Sequence, residues 1–386
     1  MAWNDNISGT GTQADPYQVT TVEQFEGALA QRGAYLKIMN NIDFGGISKR
    51  YTFSARYVDG NGKILSNFYV LNNTIFNLPQ LYDGADPQEE RKREFKNATL
   101  EFVIVSYLTR QMDPDNYSKY AGVAACYNYD GTNNTSTIDK WRNHDPNLIF
   151  TDCDVRIKYY GAIDSGNDGR LDYNRSGSIF CRQRKIILNM DIMDYPRIIL
   201  NAYNSVFSID AYMLLPHNGS GIFSSYTYST SYGFSDGNAV AGIVDNCVVK
   251  INLYDKFGWN EEYTSNENMT SFIVGHFNII SNTAFHINYI AKAKLHNNTY
   301  CNILGYVNNL YNSYFVLNYP SFLSTAGFQA TRFSTISFVA TDHGKIYKYY
   351  CEATYDIGKQ IKLVSFEDAK NRETLESIGF VLKHTT

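Results

Sequence analysis

Three aspartates in one polar run come nearest, by type and spacing, to doing chemistry in this chain. Asp164, Asp168 and Asp172 stand in Asp164-Ser165-Gly166-Asn167-Asp168-Gly169-Arg170-Leu171-Asp172. Two carboxyl groups facing each other across a groove can cleave a glycosidic bond, one acting as acid and the other as base or nucleophile. The run also loosely resembles an oxygen-rich calcium loop. It lacks an acid or amide at the third position of that loop and a bidentate Glu at the twelfth. It reads first as a polar loop, and its aspartates are the catalytic candidates if the chain degrades polysaccharide. Asp113 and Asp115 flank Pro114 and read as a turn. His276, His286 and His296 are spaced by ten. Nothing fixes the other two beside His286, so no metal site is expected. No Gly-rich phosphate loop, nucleophile elbow or His-Glu-x-x-His occurs, and no cofactor is expected.

The elements that must position such residues are legible in a six-residue beat: Asn or Asp, small, any, apolar, any, apolar. Its copies begin at Asn97, Asp152, Asn204, Asn246, Asn282 and Asn312. Period-two alternation sends the small and apolar residues to one face. The positions between them carry Glu101, Arg156, Ser208, Lys250 and His286, which favour water. Each beat is therefore a half-buried strand. The leading Asn suits a turn because it tolerates left-handed backbone angles. The small second residue lets neighbouring turns of chain approach closely.

Three of the beats follow an apolar stretch with a central glycine, at Gly242, Gly275 and Gly305, which marks a bend or a close backbone contact. Intervals between beats run 55, 52, 42, 36 and 30 residues. A rung of three short strands needs roughly 20–30 residues. The late intervals fit one rung each, and the early ones must hold inserted loops or extra rungs. The pattern predicts an all-β parallel β-helix, a solenoid, rather than a propeller of constant blade length.

At 386 residues the chain exceeds the usual single domain, a limit that solenoids escape. A net charge of −4 gives no reason to expect nucleic acid as a partner. Eight prolines and no Pro/Ser-rich linker favour one continuous body. The 32 tyrosines fit compositional bias and packing, and also offer faces to sugar rings. The six cysteines lack metal-type pairing, and Cys153 and Cys247 occupy inward small positions, so they read as buried free thiols. The start of the chain has no basic-then-apolar export pattern, and no apolar stretch is long enough to span a bilayer. The charged stretch from Pro79 to Lys96 interrupts the strand pattern and reads as an exposed short helix or docking loop.

Both ends read as caps. Thr20-Thr21-Val22-Glu23 offers a capping box for a helix running to about Gln31, with Phe25 and Leu29 on one face and the strand Tyr35-Leu36-Lys37-Ile38 following. Ser365-Phe366-Glu367-Asp368 opens a second helix through Leu375, followed by a last strand at Phe380-Val381-Leu382. These divide the chain into an N-terminal cap over 1–45, a β-helix over 46–360 with insertions mainly in 46–235, and a closing cap over 361–386.

Gly9-Thr10-Gly11-Thr12-Gln13-Ala14-Asp15-Pro16-Tyr17-Gln18-Val19, with the strand ending in Asn40-Asn41-Ile42-Asp43-Phe44, resembles the opening of GLUG-type β-helix proteins. The Gly-centred strands followed by Asn-Cys, Asn-Thr or Asn-Ser are similar to that family's repeats, and Ile378-Gly379-Phe380 to its closing segment. The resemblance covers both ends and about 236–320. It implies a right-handed parallel β-helix, found in bacterial surface proteins and phage structural proteins, and no single activity. The expectation is a non-enzymatic virion protein, assembled in the host cytoplasm as a tail or capsid appendage. Its partners would be itself, as a possible homotrimer, other virion proteins and a host-surface glycan, with no membrane insertion. The alternatives are a polysaccharide-degrading lyase or glycosidase and a bacterial adhesin module.

Overall fold

The computed structural model describes residues 3, 6–71, 73–79, 91–108, 121–125, 146–163, 179–182, 184–188, 191–195, 198–212, 221–225, 242–255, 269–275, 277–291, 299–318, 326–340, 346–347 and 361–364. Asp113, Asp115, Asp164, Asp168, Asp172, His276, His296 and the closing helix and strand lie outside these residues.

The chain winds as a three-faced parallel β-helix. On one face the strands that carry the beats stack directly. The strand Asp154–Ile163 lies between Lys92–Leu108 and Val206–Tyr212. Val206–Tyr212 then pairs with Val248–Asp255, that strand with Ala284–Ala291, and that one with Thr299–Asn318. The register is constant: Thr99, Asp154, Val206, Val248, Ala284 and Tyr314, each third in its beat, are successive partners. Each interval between beats is therefore one rung. The long early intervals therefore add no extra rung to this face. One insertion is an antiparallel hairpin, Arg184–Leu188 with Asp191–Tyr195.

A second face precedes each beat. It contains Asn147–Thr151, Ile199–Tyr203, Ile243–Asp245 and Phe277–Ser281, stacked in parallel. The third face holds Tyr51–Thr52, Thr74–Asn77, Gly122–Ala125 and Cys181–Arg182. It continues through Gly221–Ser224 and Met269–Gly275. The three faces enclose one apolar core, with Phe76, Phe95, Phe102, Phe150, Phe207 and Phe223 fully buried.

Every beat begins in the left-handed region. Asn97, Asp152, Asn204, Asn246, Asn282 and Asn312 have φ between 40° and 54°. Asn and Asp tolerate this geometry better than other side chains bearing a Cβ. They also hydrogen-bond up the stack. The Asn204 amide donates to Asp152 at 3.2 Å, Asn246 to Asn204 at 2.9 Å and Asn312 to Asn282 at 2.8 Å.

The small second residues form a ladder on the inside. The backbone N–H of Cys153 donates to Ser205 Oγ at 3.0 Å, that of Cys247 to Thr283 Oγ1 at 3.4 Å, and that of Thr283 to Ser313 Oγ at 3.3 Å. The amides of Ala98 and Ser205 donate to the Cys153 and Cys247 thiols. Each hydroxyl or thiol in turn donates to the carbonyl two residues back, as Ser205 does to Tyr203 at 2.7 Å and Thr283 to Ser281 at 2.7 Å. The small residue is thus both a spacer and the partner of an otherwise orphaned buried amide. Ser205→Ala should cost about 1–3 kcal/mol by stranding the Cys153 N–H. Ser205→Cys should cost less, because thiols already serve at two other rungs. Urea midpoints of both variants check this, and equal losses would count against the ladder.

The helix Val22–Leu29 sends Phe25, Ala28 and Leu29 into the core of the first rungs. Thr21 is its N-cap, accepting from Gln24 N at 3.3 Å, while Gln24 Oε1 accepts from Thr20 N at 2.9 Å. The capping box is therefore one residue later than expected from Thr20 and Glu23, and the helix stops two residues before Gln31. Phe25 packs edge-on against Phe44 and Tyr51. The strand Tyr17–Val19 pairs with Tyr35–Ile38, which pairs with Tyr57–Leu71, so the first rungs already lie within 1–45.

Two expectations are corrected. Residues 92–96, read as helix or loop, open the strand Lys92–Leu108. Its one fully buried charge, Arg93, gives Nε to the Phe53 carbonyl at 3.0 Å and Nη1 to the Lys92 carbonyl at 2.9 Å, which makes the burial tolerable. The three glycines are not equivalent. Val274 pairs with Leu304, so Gly275 and Gly305 share a register, whereas Ile243 pairs with Ile279 and puts Gly242 beside Asn278.

Candidate functional site

No group of three or more His, Cys, Asp or Glu side chains suited to a metal ion occurs among the described residues. None of their helices is long and apolar enough to cross a membrane. His286 sits outward between Lys250 and Val316. Partial burial, and secondarily the Lys250 charge, push its imidazole down to about 4, so it is neutral at pH 7. Burial lifts the Cys153 and Cys247 thiols to about 12, which keeps them protonated and poorly nucleophilic.

Two outward features have the composition of contact surfaces. The first is a column of stacked rings. Tyr160 and Tyr212 lie 5.0 Å apart and nearly parallel, and Tyr212 and Tyr254 lie 4.6 Å apart. Beside it Asn252 donates to Asp210 at 2.8 Å. The beat places these residues at its seventh and ninth positions, beyond the six that define it, which is why the sequence pattern did not find the column.

The second is a groove of about 460 Å³ on the first rungs, within the roughly 300–1,000 Å³ usual for ligand sites. Its lining includes Tyr35 and Lys37 from one strand, Tyr57 and Asp59 from the next with Arg56 just before it, and Lys92 and Glu94 from the third. Parallel pairing sets them side by side: Tyr35 with Tyr57, Lys37 with Asp59, and Tyr57 with Glu94. The Tyr35 and Tyr57 rings are 5.9 Å apart, tilted by 41°. Arg56 Nη1 reaches the Tyr35 hydroxyl at 3.5 Å, and Glu94 accepts from Thr151 Oγ1 at 2.7 Å. Burial, then the charges of Asp59 and Glu94, push the Tyr57 hydroxyl up to about 12, so it remains a neutral donor. Alternation along 57–59 and 92–94 carries the only sequence trace of the groove, because its members come from three separate rungs.

No family model matches this chain, and no curated protein matches it. Among solved structures, it is similar in shape to a "putative immunoglobulin A1 protease from Bacteroides ovatus", at 10% identity and a TM-score of 0.33, over 96% of this chain and 89% of that one. Likeness at that level carries no argument about activity.

Proposed function

We propose that the chain is a structural phage virion protein, a β-helical shaft in a tail or capsid appendage. It would be assembled with further copies of itself and other virion proteins, and would contact the host surface through its side. The resemblance to GLUG-type proteins motivates the virion assignment. The observation that carries a structural role is the unbroken axial stack. Ile42, Leu65, Leu100, Val155, Phe207, Val249, Phe285, Phe315, Phe338 and Leu363 are successive register partners on one face. At about 4.8 Å per step this is a rod of roughly 45 Å, tied internally by two ladders. Such a body resists bending and offers long lateral faces. The test is mass spectrometry of purified particles from a lysate of cells carrying the gene. The chain should copurify with particles through a density gradient, and its absence from them rules out a virion role.

A second reading is a polysaccharide-degrading enzyme. It is favoured by Asp59 and Glu94, which line one groove from adjacent strands. In register Asp59 lies two residues along from the partner of Glu94, so the two carboxylates come to one groove from neighbouring strands, as a glycosidase pair does. Release of reducing sugar from host capsule or wall glycan, lost in Glu94→Gln, would favour this reading over the first.

A further inference from the structure

We propose that the groove on the first rungs binds a carboxylated sugar unit, a uronic or sialic acid residue of a surface glycan. This deepens the host-contact part of the reading above and does not depend on assembly into a particle.

The donors and acceptors of the groove select the ligand class. Lys37, Arg56 and Lys92 bring three cations against the two anions Asp59 and Glu94. All five side chains are half-buried, where charge interactions exceed those in bulk water. The Lys37 ammonium and the Tyr57 hydroxyl have no hydrogen-bond partner among the described residues. Both residues are partly exposed on the groove, so both donors are open to an acceptor that a ligand brings. A guanidinium and ammonium groups suit a carboxylate.

A polyanion such as nucleic acid or polyphosphate fits poorly, because Asp59 and Glu94 would repel it. Those same carboxylates are strong acceptors for neutral hydroxyl groups. The tilted tyrosines supply apolar surface with polar tips, which suits a ring carrying C–H faces and O–H edges. One negative charge, several hydroxyls and a compact ring together describe an acidic monosaccharide unit.

The experiment is isothermal titration of the full chain with trigalacturonate, 3′-sialyllactose and, as a neutral control, cellotriose. At least one acidic probe should bind with a Kd of millimolar or tighter, and cellotriose at least about tenfold more weakly. Lys37→Gln with Lys92→Gln, which removes two cations and leaves the core untouched, should weaken acidic-probe binding by about tenfold or more at an unchanged melting temperature. Tyr57→Phe should weaken it severalfold. The proposal is overturned if neither acidic probe binds at millimolar concentration, if cellotriose binds equally well, or if the double variant binds like the parent. Particle mass spectrometry is unaffected by these outcomes, so failure of the groove and failure of the virion reading are separable.

Discussion

Gly242→Ala should destabilise the protein by about 3–5 kcal/mol, the largest loss expected from any single methyl group added at this corner of the stack. Two costs combine. Gly242 has φ +102°, where an L side chain is strained by about 1–3 kcal/mol. A Cβ there would also sit 2.4 Å from the Leu200 carbonyl oxygen and 2.6 Å from Ser225 Oγ. Neither neighbour can yield freely. Leu200 belongs to a paired strand, and Ser225 Oγ accepts the Leu200 amide at 3.0 Å. Overpacking of this kind adds about 1–3 kcal/mol. Gly62→Ala separates the two costs, since Gly62 has φ +69° with nothing within 4 Å of the added carbon. It should lose only the backbone share. Urea unfolding of both variants measures the difference, and equal losses would mean that the close approach of Gly242 to the neighbouring rung has no energetic weight.

Stability should also fall as pH drops from about 6.5 to about 4, by as much as about 3 kcal/mol, through His286 alone. Its folded pKa is depressed to about 4, chiefly by burial and then by Lys250. In the unfolded chain it returns to about 6.5. Between those values the unfolded state binds the extra proton, so the contribution is fully present above about pH 6.5 and lost as pH falls toward 4. The figure is an upper bound, because His286 keeps some access to water. His286→Gln should flatten this part of the profile and leave stability above pH 7 little changed. The carboxylates of Glu23 and Asp43, whose pKa values are lowered by hydrogen bonds, act below this window and should persist in the variant. A slope between pH 6.5 and 4 that survives the substitution would assign it to other groups.

The beat was legible because one physical demand recurs at each of its positions. A corner needs a left-handed residue, the first inward site needs a small one, and the next two need apolar bulk. Where the demand is met differently, the beat vanishes although the rung continues. At one end Asn41 Oδ1 accepts the Ile64 amide from the next rung, and Asn61 and Gly62 share the left-handed turn. At the other, Ser313 pairs with Ile336, so Thr335 stands where Asn would be expected. Arg93 misled the reading of 92–96 for a similar reason. Its charge suggested solvent, but two backbone carbonyls receive it inside. The groove was illegible because Tyr35, Tyr57 and Glu94 are neighbours only through pairing between rungs, which the order of residues does not express. The central glycine of 240–244 does mark a bend and a close approach. It stands four residues before its beat, whereas Gly275 and Gly305 stand seven before theirs, so its kinship with them was only that of a glycine within an apolar run.

The inner column of hydroxyls and thiols runs one way only. Each amide finds its acceptor on the coil that comes later in the chain: Cys153 on Ser205, Cys247 on Thr283, Thr283 on Ser313. Each coil is therefore completed by its successor, and the stack has unlike ends. Truncation after any such coil strands a donor at the fresh end. The partner of Ser313 in the following coil is Ile336, whose side chain offers no acceptor, so this vectorial zipper ends in the sequence itself.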